Sequence, residues 1–69
     1  MQVSIDWEAN PINVWHIDKT ILDELLKHLH FHGLLKHSIV MPDRDRGGFL
    51  FFVYETVDPN LILEWEERR

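Results

Sequence analysis

"FLFFVYE", Phe49–Glu55, is the stretch on which the fold turns. Read as a strand, it sets Phe49, Phe51 and Val53 on one face and Leu50, Phe52 and Tyr54 on the other, because successive side chains of an extended chain point to opposite sides. Both faces are apolar. Such a strand is central, covered twice, or part of an interface.

Upstream, "PDRDRGG", Pro42–Gly48, reads as a turn or longer hairpin loop. Before it, "LLKHSIVM", Leu34–Met41, reads as a strand with Leu35, Ile39 and Met41 on one face and His37 between them. Downstream, "LILEWEERR" admits two readings. As a strand it sets Leu61, Leu63 and Trp65 against Glu64 and Glu66. As a helix it is capped by Asp58, carries Pro59 at its first position and turns Leu61, Ile62 and Trp65 inward. Its glutamates and arginines favour helix. So does the two-sided strand, whose second face a helix would cover.

The clearest helix lies further back. Asp18 or Thr20 supplies a cap, and Ile21, Leu22, Leu25, Leu26 and Leu29 recur at the spacing of one helical face. Asp23 and Glu24 sit near its start, Lys27 and the histidines near its end, and Gly33 is placed to stop it. Ahead of it, Val3, Ile5 and Trp7 alternate with polar residues as a half-buried strand. "INVWHI" is a second short extended piece or a loop carrying apolar residues inward. The outline is α+β, in the order β-α-β-β-α. It comprises a small antiparallel sheet of about three strands, an amphipathic helix packed on it, and a C-terminal helix or fourth strand. Residues 1–69 form a single domain.

Composition narrows the function. The chain has no cysteine, which removes disulfides and thiolate zinc sites. Twelve acidic against seven basic residues give a net charge of -5, the wrong sign for binding driven by phosphate neutralisation. Nucleic acid is therefore disfavoured as a partner, and the negative field is compatible with docking on a protein with a basic surface. "MQVSIDWEAN" lacks the basic region and apolar run of a signal peptide, and no stretch spans a membrane; the expected location is the cytoplasm.

"KHLHFHG", Lys27–Gly33, spaces three histidines at every second position. On a helix, at about 100 degrees per residue, this pattern scatters: His28 and His32 lie together at i, i+4 and His30 points away. A metal site for Zn, Ni or Cu would be built on His28 and His32, and tetrahedral zinc would need a third ligand besides, His37 or an acidic side chain. Otherwise these are polar residues at a helix end, and no cofactor is required. Phe31 projects on the polar side of the helix, so either the helix ends early or an aromatic ring stands in solvent.

"DRDRGG" lacks the lysine of a phosphate-binding loop and the glutamate of a calcium loop. No serine sits in a nucleophile elbow, and His37 and Ser38, as strand neighbours, point apart. The expectation is a non-enzyme: a small acidic module that binds another protein as inhibitor or adaptor, or pairs with itself as a homodimer. Phe31, Arg44, Arg46, Phe52, Tyr54 and Trp65 are its candidate partner-binding residues.

Overall fold

The computed structural model describes residues 3–68. It is α+β, a four-stranded antiparallel sheet with two helices. The elements are β1 (Ser4–Asp6), β2 (Ile12–His16), α1 (Lys19–Phe31), β3 (Met41–Pro42), β4 (Phe49–Val53) and α2 (Pro59–Glu67). The strands lie in the order β1-β2-β4-β3.

"INVWHI" is thus a strand, and a central one. It pairs with β1 (Ile5 opposite Val14) and with β4 (Val14 opposite Phe51, Trp15 opposite Leu50). This fourth strand separates β1 from β4 and enlarges the three-stranded sheet expected from the sequence. The "LLKHSIVM" segment departs from expectation in the other direction. Only Met41 and Pro42 join the sheet as β3, and His37 makes an isolated bridge to Val53. Leu35 and Ile39, expected with Met41 on one face of a strand, lie outside it and are 82% and 78% exposed. The segment bonds β4 only around His37, through Tyr54 N–H to the Lys36 carbonyl and Ser38 N–H to the Phe52 carbonyl. The Leu35 and Lys36 N–H groups go to the Glu55 carboxylate at 2.9 and 2.7 Å instead of to a strand.

Helix α1 forms where the apolar face predicts it. Asp18 is its N-cap, accepting the Thr20 N–H at 2.9 Å, and Ile21, Leu22, Leu25, Leu26 and Leu29 are buried. The helix ends in two bonds of a Schellman motif. Leu34 N–H donates to the Leu29 carbonyl and Gly33 N–H to the His30 carbonyl, both at 3.0 Å. Gly33 takes φ +94°, a left-handed conformation that glycine adopts without a Cβ penalty. Leu34 then turns inward beside Leu29 in the core.

The C-terminal segment is a helix, capped by Asp58 and opened by Pro59. It does not cover the second face of β4. Ile62 and Trp65 join the same buried cluster as Val14, Leu22, Leu25, Phe51 and Val53. The His28 ring bonds the Leu61 carbonyl at 2.9 Å, so α2 lies beside α1. Both helices therefore serve one side of the sheet, and the core sits between them and the face carrying Val14, Phe51 and Val53.

Candidate interaction face

Residues paired directly across antiparallel strands share a face. The register therefore sorts the sheet without ambiguity. Ile5, Val14, Phe51 and Val53 point to the helices, whereas Asp6, Asn13, Trp15, Leu50, Phe52 and Met41 point away. On the helix side of the central strands Val14, His16, Phe51 and Val53 are buried, with Phe51 at 0% exposure and Val14 at 1%, and half-buried Ile12 and Phe49 pack against the core. Trp15, Met41, Leu50 and Phe52 are half-buried and lie outside the core cluster and the side chains packed on it. Among the described residues, no helix lies over this outer face.

The hairpin between β3 and β4 closes one end of that face. Asp43 folds the loop: its Oδ1 accepts the Asp45 and Arg46 N–H groups and its Oδ2 the Arg46 Nε–H at 3.1 Å. Chiefly because the Arg46 N–H points at it, the Asp43 carboxyl is held below the usual carboxylate range. Arg46, so positioned, lies 4.7 Å over the Trp15 ring, and Trp15 Nε1–H donates to the Gly47 carbonyl at 2.9 Å. Gly48, at φ +68°, completes the approach. A Cβ there would meet the His16 carbonyl oxygen at 2.8 Å and the Ile17 Cα at 2.9 Å. The tryptophan is pinned, its indole N–H satisfied and its ring half-buried beneath the Arg46 guanidinium.

At the other end, Ser38 Oγ accepts the Phe52 N–H at 2.8 Å and the Ser38 N–H donates to the Phe52 carbonyl at 2.8 Å. Tyr54 N–H donates to the Lys36 carbonyl, and the Tyr54 side chain is 57% exposed. Glu55, holding the Lys36 and Leu35 N–H groups, keeps its carboxyl below the ordinary value for that reason, the Lys36 bond first. A groove of about 430 Å³ opens beside this end, lined by Trp7, Asn10, Ile12, Tyr54 and Glu55 among others. Its carboxylate is the one already engaged by the loop.

The structure places the residues singled out from the sequence as follows. Phe52 stands on the outer face, Arg46 sits over its tryptophan, Arg44 is exposed on the same loop, and Tyr54 lies just beyond β4. Phe31 is 85% exposed at the end of α1, so the helix runs to its expected length and the ring stands in solvent. Trp65 is 8% exposed and belongs to the core, where α2 packs, and so is removed from any contact surface. His28 and His32 do adjoin, with ring centroids 4.7 Å apart, but His37 lies against His30 instead. The set His28, His32 and His37 is therefore not brought together, and among the described residues no group of three or more histidine or acidic side chains is placed to hold a metal. Trp15, Leu50 and Met41 were missed as candidates. The signal was the alternation of "INVWH", which puts Asn13 and Trp15 on the same side.

No helix among the described residues is long and apolar enough to cross a membrane. The chain matches no protein-family model, no curated protein and no solved structure.

Proposed function

We propose that the chain is a small protein-binding module of the cytoplasm, an adaptor or inhibitor whose outer sheet face receives a larger protein. The observation that supports this is the row of Trp15, Leu50, Phe52 and Met41 on the side of the sheet away from both helices. Rigid aromatic and aliphatic side chains of this kind anchor interfaces.

The occupant is a protein that presents apolar side chains within a basic surface. A chain of net charge -5 repels a second copy of itself and attracts the opposite sign. Asp6, on the outer face of β1, and Asp45, in the hairpin loop, are exposed acidic groups of this region, and Arg46 over the Trp15 ring is its nearest cation. In this reading the carboxylates raise the rate of encounter and the apolar row sets the lifetime of the complex.

The test captures partners with the full chain and then measures affinity with purified components. Leu50→Asp and Phe52→Asp should each weaken binding at least tenfold. Leu63→Asp, on the exposed side of α2, should leave it unchanged. Added salt should slow association. Unchanged binding by both face variants overturns the reading. So does a concentration-dependent dimer in sedimentation that Phe52→Asp abolishes, because it assigns the face to a second copy.

A further inference from the structure

The four histidines near the end of α1 fall into two pairs of different kinds. In the first, the His28 Nε2–H is donated to the Leu61 carbonyl at 2.9 Å, where it ties α1 to α2. In the second, His30 Nε2 and His37 Nε2 face each other at 2.6 Å on an exposed surface, with ring centroids 4.7 Å apart.

The fold brings this second pair together across the helix stop. The chain reverses at Gly33, Leu34 anchors in the core, and Glu55 holds the Leu35 and Lys36 N–H groups. His37 then bridges to Val53 and its ring packs edge-on near Phe51, at 6.3 Å between centroids. Its Nδ1 lies 2.7 Å from the Ser38 carbonyl oxygen. A carbonyl only accepts, so Nδ1 carries the proton and the Nε2 of the neutral ring carries a lone pair aimed at His30. Holding a ring by Nδ1–H on a backbone carbonyl is how proteins orient a histidine that binds metal through Nε2.

We infer that His30 and His37 form a two-nitrogen chelate for a divalent late transition metal, with Cu(II) and then Ni(II) as the best fits. Metal–imidazole bonds of about 2.0–2.1 Å place neighbouring nitrogens about 2.9 Å apart in a square plane and about 3.4 Å apart in a tetrahedron. The observed 2.6 Å separation opens to the first with a small rotation of the exposed His30 and to the second only with a larger one. Water fills the remaining positions. On binding, both Nε2 lone pairs go to the metal. The proton that His30 Nε2 shared with His37 is carried at His30 Nδ1 instead, so two neutral rings bind without net proton release. The His28–His32 pair is the poorer site, because His28 Nε2 is directed at Leu61.

Calorimetric titration of the full chain with copper(II) and nickel(II) chloride in a non-chelating buffer tests this. The expected result is one equivalent bound, copper more tightly than nickel. His30→Gln should weaken copper binding at least tenfold, and His28→Ala and His32→Ala should leave it within twofold. Substoichiometric Cu(II) should broaden the ring proton signals of His30 and His37 before those of the other histidines. His30→Gln alters an exposed helical position, so circular dichroism should show the chain folded, and His37→Ala adds a second reading where it folds. Copper binding that survives His30→Gln, or that is lost with His28→Ala, overturns the inference, as does the absence of binding.

Discussion

Trp15 and Leu50 stand directly opposite each other across β2 and β4, on the side of the sheet that faces away from both helices. One residue back along β2 and one further along β4, Val14 and Phe51 form the equivalent pair on the buried side. Adjacent pairs on the same two strands therefore differ in surroundings, one sealed in the core and the other half-buried on the face that no helix covers.

That difference is measurable by stability. Phe51→Ala should cost about 3–5 kcal/mol, the range for emptying a fully packed aromatic site, and should unfold much of a chain this small. Phe52→Ala, on the half-buried outer face, should cost about 1 kcal/mol. Urea denaturation of the two variants checks the contrast. Similar losses would mean that β4 is covered on both sides.

The glycines differ in the same way. Gly33 and Gly48 both hold a positive φ, but only at Gly48 does a Cβ meet backbone atoms. Gly33→Ala should cost about 1–2 kcal/mol for the left-handed conformation. Gly48→Ala should cost about 3 kcal/mol or more, because the hairpin must move off His16 and Ile17. It should also shift the fluorescence of Trp15, which the loop grips. Thermal melts and emission spectra give both readings, and equal melts would remove the argument for close approach.

Acid should weaken the fold through the loop clamps. The Asp43 and Glu55 carboxyls are held below their ordinary values by N–H donors that exist only in the folded chain. Groups depressed in this way stabilise fully above the ordinary carboxylate range near about 4, and their contribution is lost as pH falls below it through the folded values. Stability measured from pH 6 to 2.5 should therefore fall in the acid range. Glu55→Gln, which keeps an accepting oxygen but cannot titrate, should flatten that fall. A slope identical to that of the unaltered chain would show that Glu55 contributes nothing to it.

How far the sequence could be read follows from these same residues. Helix α1 announced itself through five leucine and isoleucine positions on one face, a capping Asp18 and a stopping Gly33, all local signals. Helix α2 was legible from Asp58 and Pro59. Its docking side was not, because an apolar stripe on a short helix says that a face is buried without saying against what. The same limit hid the outer face. "FLFFVYE" signals a strand apolar on both sides, and only the sheet order shows which side stays open. The partnership of His30 with His37 was equally out of reach. It depends on Glu55 recruiting the Leu35 and Lys36 N–H groups across about 20 residues of chain.

The central claim is that the open sheet face is the docking face. Its most direct test is photo-cross-linking in cells producing the protein, with p-benzoylphenylalanine placed singly in place of Phe52, of Phe31 and of Leu63. The account predicts a discrete adduct to one net-basic protein from the Phe52 position, diminished by Leu50→Asp, and none from the Leu63 position. Adducts of equal yield from the Leu63 or Phe31 positions, or an adduct from the Phe52 position only to a second copy of the chain, would contradict it.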